Sequence, residues 1–289
     1  MKKILITGAT GNIGFELIRF FSETATAHTI VAGVRDIPKA KAKFSAYPEL
    51  NYVLFDFDKP ETFEPALHGV DSVFLLRPPH ISDVKKYFSP LIEKMSEKNV
   101  SHVLFLSVQG AEKSKIIPHN KIERLIQDSG ISYIFLRPSY FMQNLTDNLL
   151  SDIRLKRKIL LPAGKAKFNW VDIENISEAA AFLLDDFSEY KNKALEITGY
   201  QNENFEYAAE LISKAISETV EYKSLNPFRF FFIKKKQGMP AGKIVVMIML
   251  HYLPRFQPEP VISNFYEKLT GKKPTSLEAF VEREKERFV

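Results

Sequence analysis

The chain has 289 residues, 45% hydrophobic and 26% charged, which leaves room for one large α/β domain with a smaller appendage and excludes a tiny module or a disordered segment. Its 40 Lys and Arg against 35 Asp and Glu give a net charge of +5 spread along the chain, so no dedicated nucleic-acid surface is expected. It contains no cysteine, which removes disulfides, thiolate nucleophiles and cysteine-held metals.

Met1-Lys2-Lys3 followed by Ile4-Leu5-Ile6 resembles the start of a secretory signal, but the apolar run stops at Thr7-Gly8. The longest apolar stretch, Ile244 to Leu250, is too short to span a bilayer, so a soluble cytoplasmic protein with no membrane partner is expected. Runs rich in Ile, Val, Leu and Phe then alternate with amphipathic segments, the pattern of βαβ units around a buried parallel sheet. Strands are predicted at Lys3–Thr7, Thr29–Val34, Tyr52–Phe57, Ser72–Leu76, Val103–Ser107 and Tyr133–Leu136. Helices are predicted between them at Asn12–Ser22, Lys39–Ala46, Thr62–Leu67, Asp83–Lys98 and His119–Asp128. Gly130 stands where a left-handed cap would stop the last of these.

This alternation predicts a doubly wound parallel Rossmann sheet with a smaller, mostly helical C-terminal domain. After Pro138 it fades to a strand Phe168–Val171, a helix Ile173–Leu184, a strand Ala194–Thr198 and a helix Phe205–Ile216, followed by helical sequence with proline-rich joints. The expected division is 1–145 with 168–198 for the nucleotide-binding domain, and 146–167 with 199–289 for a lid-like substrate domain. Lys234-Lys235-Lys236, preceded by Phe228, Phe230, Phe231 and Phe232, is read as a solvated helix end, with a membrane or nucleic-acid contact as the lesser alternative.

Gly8-Ala9-Thr10-Gly11-Asn12-Ile13-Gly14 lies between the first strand and the first helix, the context a phosphate-binding turn requires. Gly8 permits the sharp turn, Gly11 lets a pyrophosphate approach the backbone, and Gly14 lets the helix pack on the strand. Thr10, Asn12 and Ile13 at the helix start join the candidate cofactor-binding positions. At the end of the second strand, where an NAD enzyme places an acid for the ribose hydroxyls, stands Arg35. Its guanidinium suits a 2′-phosphate, with Lys39 adding charge, so NADP(H) is the expected cofactor; Asp36 keeps a ribose-bonding alternative open. Further candidates follow from the rule that ligands lie outside the carboxyl ends of the strands: Asp56 and Phe57, Leu76 and Arg77, Ser107, and Tyr140. The six histidines form no close-spaced pair, and no metal site is expected.

The stretches ILITGATGNIG (4–14), VRD (34–36), HNKIERLIQDSGISYIFLRPSYFMQN (119–144), FNWVDIENISEAAAFLLDD (168–186) and LTGKKPTSLEAF (269–280) make the chain resemble the NmrA-like family of atypical short-chain dehydrogenases/reductases. The resemblance implies the Rossmann fold and an NAD(P)H site. It implies activity only loosely, because such relatives include quinone and azo-dye reductases as well as regulators that bind the dinucleotide without turnover. Short-chain dehydrogenases use a Tyr-x-x-x-Lys pair; here Lys121 stands in the lysine place and Ile117 in the tyrosine place. Lys121 is therefore the catalytic-site candidate: in one reading it binds the nicotinamide ribose or exchanges protons while Ser107 orients the substrate, and in the preferred one it only positions the cofactor and water protonates the reduced product. His119 is read as a partly exposed histidine at a helix start, with proton donation as the alternative. The expected function is NADPH-dependent hydride transfer to a quinone-like small molecule. The alternative is a non-catalytic NADP(H) sensor acting on a protein partner.

Overall fold

A computed structural model describes residues 1–24 and 26–289. Its twelve strands are, in chain order, β1 Lys3–Ile6, β2 Thr29–Val34, β3 Asn51–Leu54, β4 Ser72–Leu76, β5 His102–Leu106, β6 Ser132–Pro138, β7 Tyr140–Phe141, β8 Lys158–Leu161, β9 Phe168–Val171, β10 Lys193–Ile197, β11 Asn202–Glu203 and β12 Glu221–Ser224. Seven of these form one parallel sheet in the order β10-β6-β5-β4-β1-β2-β3, the doubly wound arrangement expected, with the order reversing between β1 and β4.

The chain divides into two compact units. The first comprises residues 1–138, 173–197 and 265–272 and contains the large sheet. Its central strands are apolar on both faces, as a sheet between two helical layers demands. Leu5, Val73, Leu75, Val103 and Phe105 pack with Leu91, Ile92, Met95, Ile122 and Ile126 on one side. On the alternate positions Ile4, Ile6, Phe74, Leu104 and Leu106 are also buried, as are Leu17, Ile18 and Phe21 of the helix Asn12–Glu23. That helix packs against Ile173–Asp185, where the Ser177 hydroxyl donates to the Ile13 carbonyl at 3.3 Å. Gly130 takes φ +75° and ends the helix Pro118–Asp128 as its composition predicts.

Two of the helices that differ from their predicted spans do so for local reasons. The second begins at Ile37 rather than Lys39, because the Asp36 carboxylate accepts the Lys39 N–H at 2.9 Å and Pro38 fits the first turn. The predicted Asp83–Lys98 helix is two, Val84–Tyr87 and Ser89–Glu97, the second opened by Pro90 in its first turn.

The second unit comprises residues 139–172, 198–264 and 273–289. It is helical around two small sheets, β11-β9-β7 and the parallel pair β12-β8. Its core gathers Trp170, Phe168, Phe205, Phe230, Ile244 and Phe280. One lysine of the basic run departs from its expected solvated state: Lys234 is buried, its Nζ 2.5 Å from Asp152, whose other oxygen receives Lys156 and Gln237. Among the described residues no helix is long and apolar enough to cross a membrane.

Candidate functional site

The glycine turn is shaped by backbone contacts that side chains would obstruct. Gly8 has φ +61°, in the left-handed region that favours glycine, and the Gly11 N–H returns to the Gly8 carbonyl at 2.9 Å. A Cβ on Gly14 would stand 2.5 Å from the Gly8 oxygen and 2.8 Å from the Ala9 Cα, so only glycine lets the first helix approach the turn. Gly11 is the N-cap, no side chain caps the first turn, and no acidic residue stands in it. A helix start of this kind, with exposed Thr10, Gly11 and Asn12 around it, is suited to an anion. Thr7 ties the turn to the neighbouring strand, its hydroxyl donating to Phe74 O and accepting the Leu76 N–H. Leu76 also lies directly beneath Gly8.

Parallel register brings the other strand ends to the same edge. Val34 pairs with Leu54, so Arg35 stands level with Phe55, one residue short of Asp56, and Leu76 pairs with Leu106, which sets Arg77 beside Ser107. Arg35 is exposed and has no partner among the described residues. Asp36 is exposed, and one of its carboxylate oxygens serves as the N-cap of the following helix. Lys39 is exposed one turn on, and a cation that sequence reasoning missed, Lys43, reaches further: its Nζ donates to the Thr10 carbonyl at 2.8 Å and lies 4.9 Å from the Phe15 ring centroid. The i, i+4 spacing of Lys39 and Lys43 on the helix after Arg35 is the signal that could have found it. One Asp56 oxygen accepts the Asp58 N–H in a local turn. The Phe57 ring is buried against Phe55, Phe63 and Phe88, so only its backbone faces the edge chemistry.

Arg77 is spent on its own loop. Its guanidinium donates to the carbonyls of Pro78, Pro79 and Ile81, and its Nε donates to His119 Nε2 at 3.3 Å. Burial, and then the Arg77 charge, press the His119 pKa down from 6.5 to about 3, so the ring is neutral with its proton on Nδ1 and is no acid at neutral pH. The unfolded chain takes up this proton near pH 6.5 and the folded chain only near 3. The stability His119 contributes is therefore whole above pH 6.5 and is lost as the pH falls. Between pH 7 and pH 5 the loss from this group is roughly 2 kcal/mol. Urea unfolding at the two pH values should show that His119→Gln loses less stability than wild type by about that amount; equal losses would contradict a neutral His119.

Ser107, expected to orient a substrate, is instead buried, and its Oγ donates to Glu123 Oε1 at 2.5 Å. Glu123 is only 4% exposed and is gripped by Arg137 through two bonds, Nε to Oε1 at 2.9 Å and Nη2 to Oε2 at 2.6 Å. Arg137 also reaches Glu112 at 2.6 Å. Burial opposes the Arg137 charge, yet the bond and charge of Glu123, with Glu112 and Glu196, hold its pKa above the ordinary arginine value. Lys121 is exposed on the helix Pro118–Asp128, and Ile117 is that helix's N-cap, with no side-chain bond to the first turn.

Tyr140 belongs to the second unit. Its ring packs on Phe168, Trp170 and Phe205, and its hydroxyl bonds His251 Nε2 at 2.9 Å, so the residue serves a local aromatic cluster. Burial pushes the phenol's pKa far upward. Burial also lowers His251 to about 4, against the opposing bond to the Met247 carbonyl. Among the described residues no three His, Cys, Asp or Glu side chains gather as metal ligands would.

The NmrA-like family model matches residues 1–280. The chain is 28% identical over 277 residues to prestalk A differentiation protein A of Dictyostelium discoideum, covering 96% of this chain and 90% of that one. It is 28% identical over 259 residues to an NAD(P)H azoreductase of Xenophilus azovorans, covering 86% of each. The fold matches the NADPH complex of the NADPH-dependent quinone oxidoreductase QOR2 of Escherichia coli with a TM-score of 0.85, over 97% of this chain and 99% of that one, at 24% identity.

Proposed function

Because the chain belongs to the NmrA-like family, we propose that it is an NADPH-dependent reductase that delivers hydride to a quinone-like or other electron-poor aromatic acceptor. The observation that carries this reading is the pairing of an uncapped, glycine-built helix start with the exposed cations Arg35, Lys39 and Lys43 beside it, while one oxygen of Asp36, the acid nearest them, is engaged in a helix cap. Gly8, Gly11 and Gly14 would cradle the pyrophosphate, with Thr10, Asn12 and Ile13 at the helix start. Arg35, Lys39 and Lys43 would take the 2′-phosphate. Asp56, the Phe57 backbone and Leu76 would line the adenosine side. Ser107 and Lys121 would flank the nicotinamide side, Lys121 as a positioning cation.

When bound, NADPH supplies the hydride. The acceptor must then gain a proton, and water is the donor this reading assigns, since Ile117 replaces the usual phenol and His119 stays neutral. Oxidation of NADPH followed with a panel of quinones and azo dyes tests the activity, and turnover of none of them would remove it. The cofactor choice has its own test. Arg35→Ala is expected to weaken NADPH binding about 10- to 100-fold while leaving NADH binding near its original value. An equal loss for both dinucleotides would argue against a 2′-phosphate role.

A second reading, a dinucleotide sensor without turnover, has its own support. Ile117 stands in the acid's place, Ser107 spends its proton on Glu123, and one relative carries the name of a differentiation protein. Tight NADPH binding with no acceptor reduced, together with co-purification of a protein partner, would favour it.

A further inference from the structure

The two helices Pro227–Lys236 and Ala241–Tyr252 pack on each other in the second unit and bury Phe230, Ile244 and Met247 in its core. Their outward residues are also apolar. Phe228 is 76% exposed and Phe232 69%, one turn apart on the first helix. Val245, Val246, Met249 and Leu250 are exposed on the second. A helix apolar all round is ordinarily covered all round, and here one side is not. The charge around these residues has one sign. From residue 222 to residue 258 there is no Asp or Glu, while Arg229, Lys235, Lys236, Lys243 and Arg255 are exposed. Lys235 and Lys236 fall on the last turn of the first helix, beyond Phe232 on the same side. Lys243 lies one turn before Val246. Lys234 does not join them; its ion pair with Asp152 ties the helix into the core and fixes which side faces out.

We infer that this face seats peripherally on an anionic lipid bilayer, with the phenylalanines and aliphatic side chains in the headgroup–acyl boundary and the lysines extending to acidic headgroups. Lysines bordering an exposed apolar stripe suit an interface where their stems lie along hydrocarbon and their ammonium groups reach phosphate. A second copy of the chain is a poorer occupant. A self-complementary interface would set this cationic rim against itself, with no carboxylate in residues 222–258 to pair it. The expectation of no membrane partner, drawn from the lack of a spanning segment, does not reach this kind of contact. The inference is independent of the proposed reductase activity.

Flotation of the full-length protein with vesicles tests it, using phosphatidylcholine alone and phosphatidylcholine mixed with phosphatidylglycerol. The protein is expected to float with the mixed vesicles, not with the neutral ones, and less as salt rises. The double variant Lys235→Glu, Lys236→Glu and the single variant Phe232→Glu should each lower partitioning ~10-fold or more. All three positions are exposed, so melting temperature and NADPH affinity serve as checks that the fold survives. Equal flotation with both vesicle types, no flotation with either, or undiminished flotation of both variants would overturn the inference. So would sedimentation showing a concentration-dependent dimer that Phe232→Glu dissolves, since a second copy would then be the occupant.

Discussion

Replacing Glu123 with alanine is expected to lower the free energy of unfolding by ~3–5 kcal/mol. The side chain is almost wholly buried and is the common acceptor for Ser107 and Arg137. Its removal leaves a guanidinium with 12% side-chain exposure facing a void, compensated by Glu112 at the surface and the charge of Glu196. Breaking one side of a buried pair costs more than the pair contributes, because the remaining charge must be either hydrated through a disrupted core or left unpaired. Glu112→Ala is the internal comparison. Its carboxylate is 45% exposed, and losing it should cost less than ~1 kcal/mol. Urea unfolding of the three proteins at neutral pH checks both values, and similar costs for Glu112 and Glu123 would refute the assignment of the network's weight to the buried member.

The second large effect is at Gly14. An alanine there would press its methyl group against the Gly8 carbonyl and the Ala9 Cα, both backbone atoms of the turn that would hold the pyrophosphate. Neither can rotate away as a flexible side chain would. Either the first helix lifts or the turn opens, at a cost of about 3 kcal/mol. Under the proposed function the same shift removes the anion site. NADPH in large excess, which should stabilise the wild-type protein by about 2–3 kcal/mol at a hundredfold over its dissociation constant, should leave the variant's melting temperature unmoved. Gly242→Ala makes a suitable control, because a Cβ there meets nothing and the helix gains from the exchange. A Gly14→Ala protein with normal stability and normal NADPH binding would show that the close approach does not matter.

The central strands of the large sheet were legible because each is a short apolar run, mostly buried, a signal that does not depend on its neighbours. Thr29–Val34 and Ser72–Leu76 match to the residue. The pair β8 and β12 was not legible. Its strands are far apart in the chain, and Glu221-Tyr-Lys-Ser is mostly exposed, so no local pattern marks it as a strand until Leu160 and its neighbours are beside it. The glycine turn and Arg35 could be read from spacing, whereas Lys43 becomes part of the site only when the helix after β2 swings its side chain back to Thr10. The buried carboxylate of Glu123 was hidden for a similar reason. On a helical pattern it reads as one more polar position, and only the fold sets Ser107 and Arg137 around it. The Ser107 proton is held internally by Glu123, so that hydroxyl has only lone pairs to offer a ligand.

Asp36 limits how this protein could change its cofactor. In many nucleotide-binding folds a move toward NAD is made by placing an acid after the second strand, and this chain already carries one. Here that acid serves the helix behind it, and releasing it to meet a ribose would uncap Ile37–Lys43, the helix that carries Lys39 and Lys43. An engineered or evolutionary switch of preference would therefore have to supply a substitute cap and remove the neighbouring cations in the same step. Single substitutions along that path are each expected to be worse than the starting point.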